Sequence, residues 1–393
     1  MSPTMTPAAN QWRSIADQTI GRAQGPELWE SLTHTFAAPT MLRPNRFLDC
    51  AIPIESLIVV LSGRVVIGTA NYTTDGLEIP QNLVQRFRLR GRHKQYGAQT
   101  LLDIAGSTAF AWPRLFQQQG SWSFSGAALN ALDAQLTIPM AASMAATIGT
   151  VDFEVYYYLP MYPMLGDSPA SYRWAAPFFL REEDWGETLQ LEIDMADNSG
   201  LGDPAATTTT VWTAYGVATG SPTVDIYAVH SMLGPFSRLP GTGFVVRSED
   251  EVAPTLAAVT ADVSLYQLRK QITTSVVVKS GVIISTGITG GVQTFLSVSD
   301  RQLDRTQVVA NNKRVRNTGY NRATKLQQAI RWNTIVPEGY LVISFADGKS
   351  PMTALRGDKT TGIFELRTDV DSASADNRQH IIQEQIIGGP YPV

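Results

Sequence analysis

Two β-sandwiches in tandem, each with one helix among its strands, are the all-β architecture that this 393-residue sequence predicts. Three observations carry the prediction. Charged residues make up only 17% of the chain, and 31 Gly and 22 Pro sit among many Thr and Val, a composition of strands and turns. Short alternating or β-branched runs recur along most of its length. These runs form two series of similar length, divided by the punctuation from Gly234-Pro235 to Gly243. At about 150 residues per domain the length suits roughly two to three domains. The boundaries read as an N-terminal helical arm over 1–41, a first sandwich over 42–234 and a second over 235–393.

The arm comes first. Trp12, Ile15, Ala16, Thr19, Ile20 and Ala23 recur at helical spacing within residues 8–36, and Gly25-Pro26 interrupts them. Such an arm packs on its own domain or a neighbour, or lies against a membrane, although its polar face is not strongly basic. From Pro44 strands take over: RFLDCAIPI and SLIVVLSGRVVIGTANY are rich in Val, Ile and Leu, and Asp75-Gly76 signals a turn. GAQTLLDIAGSTAFAW has helical spacing and stops before Pro113. LDAQLTIP and TVDFEVYYYLPMYP read as strands, and ETLQLEIDM alternates with Leu189, Leu191 and Ile193 inward. The Gly/Ala/Thr-rich stretch between Ala196 and Pro222 is long for a loop, and long loops are usually functional. TVDIYAVHSML closes the first series. The second runs through GFVVRSE, KQITTSVVVKSGVIIST, VQTFLSVS, GYLVISFADG, TGIFELRTD and RQHIIQEQII, with a helix from Asn321 to Trp332.

One stretch stands apart. In LEIPQNLVQRFRLRGRHK no acidic residue follows Gln81, and arginine falls at Arg86, Arg88, Arg90 and Arg92. On a strand these four share a face, with Phe87 and Leu89 on the other. Nucleic acid, a neighbouring protein and solvent-facing charges that protect a sheet edge are the three readings of the stripe. A formal net charge of −4 argues against bulk DNA binding as the main task. A second basic run contains Arg301, Arg305, Lys313, Arg314, Arg316, Arg322, Lys325 and Arg331, with Asp304 the only acid among them. Its interleaved Asn, Gln and Tyr320 suit phosphate contacts, and an acidic neighbouring subunit suits it equally.

Signals of bond chemistry are sparse. The single cysteine, Cys50, excludes an intrachain disulfide framework and reads as a buried, inert thiol in a strand. His34, His93, His230 and His380 are scattered in no ligand spacing, and no HExxH, GxSxG, Walker A or dinucleotide fingerprint occurs. No catalytic residue, metal or cofactor is predicted. Carboxylates cluster in REEDWGE (Arg181 to Glu187) and SEDE (Ser248 to Glu251), and both runs read as solvated charges beside turns. Arg356-Gly357-Asp358 reads as a turn between strands. The N-terminus lacks a basic start followed by an apolar run, and the low-charge stretch from Leu136 to Thr150 is too short to span a bilayer.

PQNLVQRFRLRGRH, TVDFEVYYYLPMYP followed by LQLEIDMADN, and RWNTIVPEGYLVISFADGKSP carry a resemblance, with matching order and spacing from about Asn45 to Ile387. The sequence resembles the double jelly-roll major capsid proteins of tailless, membrane-containing phages of the tectivirus type, fold relatives of the adenovirus hexon. The resemblance implies two eight-stranded jelly rolls side by side, with short helices in loops. It implies a homotrimer of pseudo-hexagonal outline that tiles an icosahedral shell, hence location in the virion after synthesis in the host cytoplasm. Implied partners are further copies of the chain, vertex (penton) and minor capsid proteins, and an internal viral membrane facing the arm at Trp12, Ile15 and Ile20. Sequence-specific nucleic-acid binding is not implied. In this layout Arg86, Arg88, Arg90 and Arg92 are expected to meet carboxylates of a neighbouring jelly roll, with Glu182, Glu183 and Asp184 as one candidate set. The stretch after Asn198 and the segment from Glu249 to Asp262 have no counterpart in the family pattern. Two other classes compete: a different vertex or receptor-binding viral β-protein, and a β-sandwich carbohydrate-active enzyme, which the dispersal of the eight tryptophans weakens.

Overall fold

The structure, a computed structural model, describes residues 26–34, 39–67, 84–116, 149–163, 178–196, 212–215, 222–230, 243–252, 260–283, 293–294, 303–311, 313–332, 340–345, 354–370 and 377–388. In chain order the first half contains β1 (Pro26–Thr33), β2 (Thr40–Leu42), β3 (Ile54–Ile67), β4 (Val84–His93) and β5 (Gly97–Ala105). Helix α1 (Gly106–Leu115), β6 (Gly149–Pro160), the one-turn helix α2 (Glu182–Trp185), β7 (Gln190–Met195), β8 (Trp212–Tyr215) and β9 (Thr223–His230) follow. The second half contains β10 (Gly243–Val252), β11 (Thr260–Gln267), β12 (Ile272–Ile283), β13 (Gln293–Thr294), β14 (Leu303–Ala310) and β15 (Lys313–Tyr320). It ends with helix α3 (Asn321–Trp332), β16 (Tyr340–Ser344), β17 (Leu355–Arg356), β18 (Phe364–Val370) and β19 (Asn377–Gly388).

These strands build three sheets. One outer sheet has the order β1-β9-β3-β6, with β8 also on β3; the other has the order β11-β18-β14-β15. Between them runs a 10-stranded sheet in the order β13-β12-β19-β10-β5-β4-β7-β2, with β16 and β17 also on β12. The two halves of the chain therefore share one sheet. They are joined where β10 lies parallel to β5, pairing Arg247 with Leu102 and Ser248 with Asp103.

Side-chain alternation shows how one sheet walls two cores. Phe87, Leu89, Leu102, Ile104, Leu191 and Ile193 share a face of β4, β5 and β7, and pack with Leu57, Val59, Val155, Tyr157 and Ile226 of the first outer sheet. Phe87 meets Tyr157 edge to face, with ring centroids 5.1 Å apart. Val277, Ile382 and Val342 continue that face into the second half and belong to the same buried cluster as Phe110, Trp112 and Leu115 of α1. Val276, Val278 and Ile381 point the opposite way and close a second core with Val308, Phe364 and Leu366. Each fully buried side chain of this size contributes about 1.5–3 kcal/mol. At β10 the covered face changes, and Gly243 through Glu249 are buried on both sides.

Several local expectations change. Residues 26–33 of the expected helical arm form an edge strand instead, because they lie beyond the Gly25-Pro26 break, where a ladder with β9 and a buried site for Trp29 hold them extended. Trp12, Ile15 and Ile20 lie outside the described residues. Gly97–Ala105 is a strand, since pairing with β4 accommodates the adjacent Leu101 and Leu102 through an irregularity in register. The helix after it runs past Pro113 to Leu115. Burial of Trp112 and Leu115 favours the extra turn over the proline's lost hydrogen bond. Cys50 is buried but sits ahead of β3, not within a strand. Part of the basic run is a hairpin, β14 and β15 turning at Asn311 with φ 52. The stretch from Ala196 to Pro222 includes β8, and LDAQLTIP lies outside the described residues.

Candidate functional site

The alternation of β4 places Arg86, Arg88, Arg90 and Arg92 on one face, while Phe87 and Leu89 are buried on the other. Carboxylates on the flanking strands meet this face as cross-strand pairs. Arg86 donates to Asp103 of β5 and, 3.1 Å away, to the main-chain carbonyl of Glu249. Arg88 Nη1 lies 2.6 Å from Asp194 Oδ2, and its Nε lies 3.5 Å from Asp103 Oδ1. Glu192 takes Arg43 at 2.7 Å through Oε1 and Arg90 at 3.4 Å through Oε2. Burial alone would depress the Arg86 guanidinium, but its hydrogen bond to Asp103 and the charges of Asp103, Glu249 and Asp250 together raise it above its ordinary value. The face grades from one end to the other. Side-chain exposure is 32% and 21% for Arg86 and Arg88, but 50% and 52% for Arg90 and Arg43.

The acidic run Glu182, Glu183 and Asp184 stands at the exposed end of that gradient. The Lys94 amide donates to the Asp184 carbonyl at 2.8 Å, and Lys94 Nζ donates to the Glu182 carbonyl at 3.1 Å. Thr188 Oγ1 accepts from the Arg92 amide at 3.0 Å and donates to the Trp185 carbonyl at 2.6 Å. Buried Trp185 anchors the turn against His93 and Phe244, with centroids 4.9 and 5.2 Å away. Gly186, at φ 57, lets the chain leave the helix in a conformation that disfavours side chains. Within the chain the arginines take Asp103, Glu192 and Asp194 as partners, and their link to the acidic turn runs through backbone groups.

Beside this face, β10 carries a buried ionic seam. Arg247 Nε lies 2.8 Å from Glu384 Oε2, with side-chain exposures of 1% and 0%. The same guanidinium donates to the carbonyls of Pro160 and Tyr162 and lies 5.8 Å from the centre of the Trp112 ring. Thr274 Oγ1 donates to Glu384 Oε1 at 2.6 Å. Two residues along β10, Glu249 Oε1 meets His380 Nδ1 at 2.8 Å while its Oε2 accepts the Ala105 amide at 2.7 Å. Lys279 donates to Ser107 of α1 at 2.6 Å. Burial by itself would raise the Glu249 carboxyl, but the bond to His380 and the charge of Lys279 pull it down to about 2. Every charge here has a counter-charge or a hydrogen-bond partner, as burial demands.

The remaining predicted residues are less concentrated. Arg305 lies on β14, Lys313, Arg314 and Arg316 on β15, and Arg322 and Lys325 on α3. These elements are consecutive, so the basic run is one hairpin and the helix that follows it. Arg301 falls outside the described residues. Arg356 grips Asp358 through two hydrogen bonds of 2.9 and 2.8 Å within a 3-10 turn, which ties both ends of the Arg-Gly-Asp triplet to each other. Cys50 is pushed up to about 12 by burial and by the nearby Asp49 and Glu182 charges, which suits an inert thiol.

No local motif in the sequence marks Arg43, Arg247, Lys279 or Glu384, and His380 reads there only as one of four scattered histidines. The signal for the seam is a charged residue set inside an apolar strand, Lys279 in VVVKS and Glu384 in HIIQEQII. Glu249 was expected to be solvated, yet it lies mid-strand and is 2% exposed.

No family model matches the sequence, and no curated protein does so either. Solved structures do match in fold. The STIV MCP aligns with a TM-score of 0.56 at 14% identity, covering 93% of this chain and 97% of its own. The atomic structure of Sulfolobus turreted icosahedral virus gives a chain with a TM-score of 0.54, again at 14% identity, over 93% and 91% of the two chains. A chain of the quasi-atomic PBCV-1 virus capsid aligns with a TM-score of 0.55 at 11% identity, over 91% and 93%. The likeness spans both halves and the sheet between them, and at such identities it is a likeness of fold: this chain is a double jelly roll.

Proposed function

We propose that the chain is a viral major capsid protein, built to associate with further copies of itself into an icosahedral shell. One observation supports this above the rest. The two jelly rolls share a 10-stranded sheet, so a single chain offers two similar walls held in fixed relation. Three such chains around an axis present six walls, a pseudo-hexagonal tile. The fold likeness to a chain of the PBCV-1 virus capsid supports the same reading. The charged groups of the seam pair with one another and with buried hydrogen-bond partners, which suits a rigid wall better than a catalytic cleft.

The finer parts of the reading follow from it. The homotrimer joins neighbouring trimers, vertex and minor capsid proteins, and is located in the virion after synthesis in the host cytoplasm. The N-terminal residues Trp12, Ile15 and Ile20 face inward toward a viral membrane. Arg86, Arg88, Arg90 and Arg92 line a subunit contact whose partner set includes Glu182, Glu183 and Asp184. The basic run (Arg301, Arg305, Lys313, Arg314, Arg316, Arg322 and Lys325) meets acidic neighbours, and nucleic acid is not read by sequence. Light scattering on the purified chain, with negative-stain images of the same fractions, tests the core of this. The expected species is a trimer near three times 42.9 kDa with a hexagonal outline. A chain that stays monomeric across concentration and ionic strength overturns the reading.

A further inference from the structure

We infer that the rim formed by Arg43, Arg90 and Arg92 together with Glu182, Glu183 and Glu187 is a two-fold contact between copies of this chain. The inference rests on the shell reading and sharpens it, because the structure divides the arginine stripe into two parts. Arg86 and Arg88 are held between Asp103 and Asp194 and are largely shielded. Arg43 and Arg90 share the single carboxylate of Glu192, are half exposed, and Arg90 reaches it only at 3.4 Å. Arg92 is exposed and anchors its strand through main-chain bonds to Thr188. Four of the five arginines on this face thus meet three carboxylates, Arg92 meets none of them, and the surplus positive charge collects at one end.

The opposite charge collects beside it. Glu182, Glu183 and Glu187 are exposed, and among the described residues no salt bridge holds any of them. The bonds from Lys94 to the Glu182 and Asp184 carbonyls and from Arg92 to Thr188 fix the acidic turn next to the basic rim. A patch that carries both signs side by side is self-complementary. A two-fold axis through its centre lays each basic half on the acidic half of the other copy. A three-fold axis instead pairs two different surfaces, so this rim joins one trimer to the next and is not the contact within a trimer. Ion pairs exposed at a rim are screened by salt, so the contact weakens with ionic strength.

Charge reversal on the full-length chain tests the inference. Arg90→Glu with Arg92→Glu, and separately Glu183→Arg with Glu187→Arg, are compared with the chain carrying all four changes, by light scattering across a salt series. Each reversed pair is expected to weaken association beyond the trimer about tenfold or more at low salt, given several repelling pairs of modest individual worth. The four-fold variant is expected to recover it, because the patch is again complementary to itself. Circular dichroism and the milder Arg92→Gln, expected to give a smaller loss in the same direction, separate lost contacts from lost folding. Trimers whose further association ignores every reversal, or a four-fold variant no better than either pair, overturn the two-fold contact and leave the shell reading standing. A chain that never self-associates overturns both.

Discussion

Glu249 Oε1 lies 2.8 Å from His380 Nδ1 at the centre of the shared sheet, where β10 of the second jelly roll runs between its own β19 and β5 of the first. The Ala105 amide holds the second carboxylate oxygen, so this side chain ties β5 of the first roll to β10 and β19 of the second. The groups facing it are His380 from β19, Lys279 from β12 and Arg86 from β4.

That environment sets a pH dependence. Burial disfavours the Glu249 carboxylate, yet its partners hold it at about 2, below the usual 4.5. A folded-state value below the unfolded one stabilises the fold above the unfolded value and ceases to do so as pH falls through the folded one. The contribution is therefore complete above about pH 4.5 and fades towards pH 2. Glu249→Gln is expected to cost roughly 3–5 kcal/mol at neutral pH, the penalty for removing one partner from a buried pair. Denaturant titrations of both proteins from pH 2 to pH 7 should show the difference shrinking in acid. A difference that stays constant over that range would mean the carboxylate charge is not what joins the rolls.

Arg247 and Glu384 make a second, separable test. Arg247→Met leaves Glu384 buried without its cation and is expected to destabilise the chain by about 3–5 kcal/mol. Adding Glu384→Leu removes the stranded charge, so the double variant is expected to be more stable than the single one. Full recovery is not expected, because the carbonyls of Pro160 and Tyr162 each lose a donor, at about 1–3 kcal/mol per unsatisfied group. A chemical-denaturation cycle measures this non-additivity. Additive losses from the two substitutions would show that the pair is not coupled.

The sequence made the two series of strands readable, because alternating Leu189, Leu191 and Ile193 or the Val276 to Val278 run state their burial directly. The same rule placed the four arginines on one face. What it did not reveal was which strands from distant parts of the chain share a sheet. The parallel pairing of Arg247 with Leu102 joins segments about 145 residues apart, and no local pattern encodes it. That pairing is why Glu249 is buried: its neighbours in sequence, Asp250 and Glu251, look like a solvated run, while its neighbours in space are His380 and Ala105. Carrying the helical reading past Gly25-Pro26 fails for the same reason, since the ladder that β9 offers to residues 26–33 lies about 195 residues away. Local pattern records which residues prefer burial, and the cross-chain ladder decides where they find it.

Gly106 and Gly91 show that ladder acting on single residues. Gly106 begins α1 where β5 ends, and a Cβ there would stand 1.8 Å from the Val84 carbonyl oxygen of β4. That oxygen is backbone in a central sheet and cannot retreat without breaking register, so Gly106→Ala is expected to prevent normal folding or to cost well over about 3 kcal/mol. At Gly91 a Cβ would meet side chains and not backbone, the tip of buried Leu189 (Cδ2) at 2.7 Å and Trp185 Cε3 at 3.2 Å. Gly91→Ala is therefore expected to cost only roughly 1–3 kcal/mol. The two substitutions add the same methyl group to neighbouring parts of the same sandwich, and thermal unfolding of both variants compares them directly. Equal losses would show that β4 is free to shift under α1, and a wall able to shift there would not hold the two rolls in fixed relation.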